Sequence, residues 1–336
     1  CNIHQDSRVM HIIYPQLFSY PKTMISWGSR LCIVTTVLAA VACEATIESE
    51  WRDWKLRYNK HYSPEEGETR MKIWLNNREY VHRHNNRADI SYSLELNQYA
   101  DEAIRRPSFK QEVPVEMSMK SNDIVNKGPT PPASWDWRQK GVVSPVRNQG
   151  MMGDVGPIVT TECVESYHAI HTGQLVSLSV AEAYDCCIQS MLIANVFGCI
   201  HNIGGLCSQQ SYPTSMGTCH NNTCTAAAKV NGGKSVPRGN EEQLKMAVFM
   251  TPVFAAIDAS HASFQLYKAG IYDEPNCSAS LLDHVVQVVG YGSMDGKDFW
   301  ICQNSWGMSW GMQGYILMSR NKNNQCGIAS AAQYPY

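Results

Sequence analysis

The chain has 336 residues, 44% of them apolar, and 28 Lys and Arg against 30 Asp and Glu give a net charge of −2. That apolar content supports a packed core and excludes a disordered chain, and the charge balance carries no nucleic-acid footprint. The length allows about two domains of ordinary size, with charge thinnest toward the C-terminus, where residues 131–336 hold 11 Lys/Arg and 14 Asp/Glu.

Residues 1–23, beginning at Cys1, read as an upstream leader. Met24, rather than Met10, opens a short basic region ending at Arg30, followed by the apolar run Leu31 to Ala42 with Ala40 and Ala42 as an A-x-A end. That is the pattern of a secretory signal peptide over 24–43, cut after Ala42 or Cys43. The run is shorter than the ~20 apolar residues that a membrane span needs, so no membrane partner is expected. Secretion makes the 13 cysteines candidates for disulfides. Two sequons, Asn221-Asn222-Thr223 and Asn276-Cys277-Ser278, offer glycan acceptors.

Residues 48–90 are charged and helical in pattern, with Trp51, Trp54, Leu56 and Tyr58 leading into an uninterrupted stretch from about Glu65 to Asn86. A segment rich in Pro, Lys, Ser and Asn, from Pro107 to Pro132, reads as a linker. Pro157 to about Thr172 predicts a helix: proline suits its first turn, Val159, Cys163, Val164, Tyr167 and Ile170 form an apolar stripe, and Gly173 supplies the stop. Strands are expected at Val253–Ile257, His284–Tyr291, Phe299–Cys302 and Gly314–Met318, with no internal repeats. Helices first and strands later give an α+β chain. His168 and His171 are three apart on the predicted helix without nearby thiol or carboxylate partners, so they read as surface histidines. No metal or other cofactor is expected.

Several motifs then follow in one order. Glu66, Arg70, Trp74, Asn77, Val81 and Asn85 recur at spacings of three and four, which places them along one helix face. Asn97, Tyr99 and Asp101 come next, then Pro132 to Arg138, Asn148-Gln149-Gly150, Asp283-His284, Val289-Gly290-Tyr291-Gly292, Asn304-Ser305-Trp306-Gly307, Trp310-Gly311 and Cys326 to Ala329. In this order the chain resembles the papain-like cysteine proteases, most closely the cathepsin L branch, from about residue 50 to 336. The resemblance implies a two-lobed fold at 131–336, helical over about 131–240 and β-barrel-like over 241–336, behind a helical propeptide at 44–130. It also implies His284 as the base, Asn304 as its orienter, Gln149 as the oxyanion amide and Trp306 as an aromatic cover. Glu95 stands where the second propeptide motif usually has glycine.

The nucleophile departs from the family. Gln149-Gly150-Met151-Met152-Gly153-Asp154-Val155-Gly156 places Val155 at the thiol position and Met152 at that of a structural cysteine. A valine has no lone pair and no ionisable proton, so the residues lead to the expectation of a pseudoprotease, not an enzyme. Cys163 lies eight residues along the helix, about 12 Å away, and Cys302 faces the interior, so neither substitutes. Val285, where cathepsin L relatives have glycine, is expected to crowd the substrate pocket, and a cleft-wall segment after Cys186-Cys187 reads as deleted. Family precedent pairs Cys277 with Cys326 and Cys186 with Cys219, with Cys187 and Cys224 as rival partners; Cys163, Cys199, Cys207 and Cys302 stay unassigned.

The expected function is a secreted, catalytically inactive cathepsin L-like protein with a structural or assembly role. It extends to a scaffold or filament of the silicatein kind in biosilica, with self-association and a mineral or matrix protein as partners and no nucleic acid. Sparse charge and ten methionines after residue 131 favour association. The alternatives are a soluble decoy or regulatory binding protein using the remodelled cleft, and an enzyme whose chemistry runs through His284 without a protein nucleophile.

Overall fold

In the computed structural model the described residues are 46–104, 111–112, 129–150, 155–187, 196–213 and 217–336. The expected leader and signal peptide, most of the linker, residues 151–154 and the cleft-wall region at 188–195 lie outside them. The chain divides into two units, residues 1–71 and 72–336. Within the first, residues 46–57 are helical, and Trp51 stacks on Trp54 at 5.2 Å and on Tyr62 at 6.4 Å.

The pro-helix spans Pro64–Asn85, with Glu65 and Glu66 in its first turn and His82, Arg83 and His84 in its last, matching the helix dipole at both ends. Its six motif residues do different work. Glu66 and Arg70 form an exposed ion pair one turn apart at 3.3 Å, while Trp74 and Val81 are buried. Asn77 donates to Ala100 O at 2.8 Å, and Asn85 both donates to Leu94 O and accepts from Leu94 N at 2.9 Å. The strand Tyr92–Leu94 is thus held to the helix before it pairs antiparallel with Tyr267–Tyr272.

Nine strands form one sheet in the order Tyr92–Leu94, Tyr267–Tyr272, Tyr315–Ser319, Lys297–Gln303, His284–Met294, Val253–Ile257, Ala332–Pro335, Gly233–Ser235, with Trp135–Asp136 added on His284–Met294. All its pairings are antiparallel except that of Tyr315–Ser319 with Tyr267–Tyr272. Val253–Ile257 has the expected limits. His284 begins its strand as expected, but the strand runs on to Met294, where Asp295 and Gly296, both at positive φ, turn the hairpin into Lys297–Gln303. Gly314 sits at φ 89, outside the strand that starts at Tyr315, because a left-handed residue ends the pleat.

The long helix spans Gly156–Thr172, with proline in its first turn and Gly173 at φ 76 donating its N–H to Ala169 O. The single apolar stripe does not describe it. Gly156 to Ser166 are buried without a break, so Thr160, Thr161, Glu162, Glu165 and Ser166 also face the interior. Val155, Val159, Cys163 and Val164 pack with Leu178, Phe197, Leu206, Phe254 and Val285 in one core cluster. A second cluster of Ile271, Val289, Ile301 and Leu317 fills the β lobe.

Four disulfides close the described chain. Cys277–Cys326 and Cys186–Cys219 are as expected, while Cys187–Cys199 and Cys207–Cys224 pair four cysteines whose partners the sequence left open. Cys163 and Cys302 are buried thiols.

Candidate functional site

His284 is the first residue of its strand, and its ring is buried against Trp306, 5.3 Å between centroids, and edge-on to Phe264 at 6.0 Å. Its Nε2 lies 2.7 Å from Asn304 Oδ1. A carboxamide oxygen only accepts, so this bond fixes a proton on Nε2, and the neutral imidazole has its lone pair on Nδ1. Asn304 is itself placed by two backbone contacts: its N–H donates to Gly314 O at 2.9 Å, and its Oδ1 accepts Ser305 N at 2.8 Å.

The loop at 147–150 is stitched to the segment after Asn304. Gln149 N donates to Ser305 O at 2.8 Å, Gly307 N donates to Arg147 O at 3.0 Å, and Asn148 bridges Trp306. Ser305 Oγ donates to Gln149 Oε1 at 2.6 Å, so the Gln149 carboxamide has its nitrogen left as a donor. Ser305 was not singled out from the sequence; its place inside Asn304-Ser305-Trp306 was the available signal.

Val155 is fully buried and occupies the N-cap position of the long helix, its carbonyl accepting Val159 N at 3.1 Å. The positive end of the helix dipole meets an isopropyl group there. Cys163 is two turns further along the same helix, and burial pushes its thiol well above the usual range. Burial likewise pushes the Cys302 thiol up. Neither is a thiolate near neutral pH. Val285 packs in the cluster that contains Val155.

Beneath the site lies a buried charge group that the sequence did not reveal. Arg147 grips Glu165 at 2.6 and 2.9 Å, and Glu165 also accepts Ser144 Oγ and Leu178 N. Glu162, one turn earlier, is 3.4 Å from Arg147. Burial pushes its carboxyl up to about 7, with Arg147 opposing that rise and Glu165 adding to it.

Among the described residues, two groups of three potential metal-ligating side chains occur, Glu182/Cys207/Cys224 and Asp258/His261/Cys277. Every cysteine in them is in a disulfide, so neither offers a thiolate. His171 is exposed and donates from Nδ1 to Tyr167 O at 2.8 Å; His168 is half-buried. Among the described residues no helix is long and apolar enough to cross a membrane.

The pro-segment reaches this region through its second motif. Asn97 is fully buried and donates to Gln265 O at 2.7 Å, Gln265 returns a bond to Tyr99 O at 3.0 Å, and Tyr99 OH donates to Trp306 O at 3.0 Å. Tyr99 also meets Trp306 edge-on at 5.6 Å.

Comparison with known proteins agrees with this arrangement. Residues 131–336 match the papain family cysteine protease model, and residues 51–103 the cathepsin propeptide inhibitor domain (I29). The chain is 39% identical over 332 residues to cathepsin L of Sarcophaga peregrina, covering 91% of this chain and 97% of that protein. It is 38% identical over 333 residues to cathepsin L1 of Drosophila melanogaster, covering 91% and 89%. Among solved structures it is similar to digestive procathepsin L 3 of the Tenebrio molitor larval midgut, with a TM-score of 0.73, 33% identity, and coverage of 86% of this chain and 98% of that one. Recombinant stem bromelain precursor gives a TM-score of 0.75 at 31% identity, covering 86% and 98%.

The expectation that the chain is not an enzyme is corrected by these matches, because the matching family and the relatives are cysteine proteases by name, which implies a protease. That expectation rested on the single side chain of Val155, whereas the imidazole, its carboxamide partner, the Gln149 amide and the indole cover are all assembled. The propeptide domain and four disulfides fit a route through the secretory pathway or to the lysosome. In fold, propeptide and site framework the chain belongs to the papain family of cysteine proteases, and it is cathepsin L-like.

Proposed function

We propose that this chain is an extracellular, cathepsin L-like protein that binds extended polypeptide along the edge leading into His284. One observation carries this reading: residues Gln111–Glu112 of its own pro-region pair antiparallel with Leu281–Leu282, directly before Asp283-His284. Main-chain pairing of that kind gives affinity without demanding one sequence. The Gln149 amide nitrogen and the Asn304-oriented imidazole then supply the polar groups for a bound carbonyl. Peptidase chemistry in this cleft takes water as the attacking group, with His284 receiving its proton, because position 155 offers no nucleophile.

Binding is tested by fluorescence anisotropy of a labelled peptide copying residues 92–112, against protein whose pro-region an added protease has removed. Saturable binding is expected; its absence overturns the proposal. Casein hydrolysis by the same sample is expected to vanish in H284A and to be untouched by an epoxysuccinyl thiol reagent.

A second reading, a structural or assembly role, is favoured by exposed methionines beside the site: Met308 is 65% and Met312 40% exposed. Its partner is a second copy of the chain. The mineral-bound, silicatein-like form of this role rests on the departure at position 155 alone.

A further inference from the structure

Two segments carry the N-linked glycosylation pattern, and their surroundings differ. Asn276 is exposed, but its side-chain nitrogen donates to Glu274 Oε1 at 3.1 Å, and Glu274 is a buried carboxylate that also accepts Ser263 Oγ at 2.8 Å. Cys277, the middle residue, is bonded to Cys326. The Ser278 hydroxyl oxygen accepts Ser280 N and Leu281 N at 3.1 and 2.8 Å. A glycan on Asn276 would break its contact to the Glu274 group.

Asn221 has none of these ties. It lies in a turn, half-exposed, with Asn222 and Thr223 exposed after it. Among the described residues no hydrogen bond engages its amide. The turn is pinned on both sides, by Cys219 to Cys186 and by Cys224 to Cys207, and Thr223 closes it through N and Oγ1 on His220 O at 3.0 and 2.7 Å. The acceptor is therefore presented to solvent on a short, anchored turn.

We propose that Asn221 carries an N-linked oligosaccharide and that Asn276 does not. The donor class is a lipid-diphosphate-linked oligosaccharide of the secretory pathway. The Asn221 side-chain nitrogen forms a bond to the anomeric carbon, the bond from that carbon to the diphosphate oxygen breaks, and the amide proton leaves as the lipid diphosphate departs. No oxidation or reduction is involved.

The full chain is expressed in a human cell line, recovered from its secretory compartments or medium, and digested with peptide N-glycosidase in heavy-oxygen water before peptide mass spectrometry. The heavy aspartate is expected at position 221, in most copies of that peptide, with position 276 remaining asparagine. N221Q and T223A are expected to lose the glycan and its gel shift, T223S to keep it, and N276Q to change nothing. An unmodified Asn221, or a glycan on Asn276, overturns the proposal. Peptide binding does not enter this readout, so it stands or falls apart from the function proposed above.

Discussion

Glu162 shows how far a single buried side chain departs from its type. In the folded chain its carboxyl keeps a proton to about pH 7, against 4.5 for the unperturbed group, because burial outweighs the attraction of Arg147, which Glu165 already occupies. Between those two values the folded state binds more protons than the unfolded one, so stability falls as pH rises across that window and is fully present below about 4.5. The change is on the order of 3 kcal/mol across the window. E162Q keeps the shape and removes the charge. Urea midpoints are expected to match the parent near pH 4.5 and to exceed it near pH 7.5; parallel pH profiles for the two proteins would refute the assignment. Cys163 and Cys302 give a second, simpler expectation. Both thiols are buried and held protonated, so peptide-mapped alkylation is expected to spare them in native protein and to label both once it is unfolded.

At the level of elements, the pro-segment is secured by buried polar bonds rather than by apolar area alone. Asn97 joins its turn to Gln265 O and also accepts Tyr99 N at 3.0 Å, which sets Tyr99 against Trp306. Removing that side chain takes one of two donors from the Gln265 carbonyl, which Trp310 Nε1 still meets at 3.1 Å, a loss of about 0.5–1.5 kcal/mol. Gly270 makes a separate contribution: its φ of 94 is left-handed, and a Cβ there would lie 2.4 Å from Ser91 O. N97A and G270A are both expected to weaken docking of residues 92–101, read as faster hydrogen exchange of Tyr92–Leu94 and earlier proteolysis in that stretch. Unchanged exchange in both would mean that the apolar contacts of Trp74 and Val81 suffice. The pro-helix motif made the first half of this visible in the sequence, since Trp74, Asn77, Val81 and Asn85 stand at helical spacing. The match between Asn97 and a carbonyl 168 residues away is a tertiary fact that no local pattern encodes.

Across the whole molecule, what was legible follows from local chemistry. Val253–Ile257 reads as a strand because a short apolar run with β-branched residues at both ends is bounded by Pro252 and Asp258, and Pro157 and Gly173 punctuate the long helix whatever surrounds it. The helix burial was not legible, because polar residues on its outer faces look solvent-bound until the sheet and the Arg147 loop cover them. The Cys187–Cys199 bridge was equally hidden, since pairing depends on Cα atoms 5.7 Å apart after folding. Surface behaviour follows from what that fold leaves outside. Met308 and Met312 flank Trp310 on the segment after Trp306, and the domain around them has little charge to oppose contact between copies. Light scattering over a range of concentrations is therefore expected to show growing particle size at low salt, and M308K to hold the protein at monomer size with its thermal stability unchanged, because Met308 is 65% exposed whereas Met312 takes a hydrogen bond from Tyr267 OH. A parent protein that stays monomeric at every concentration removes the assembly role and leaves polypeptide binding as the function to pursue.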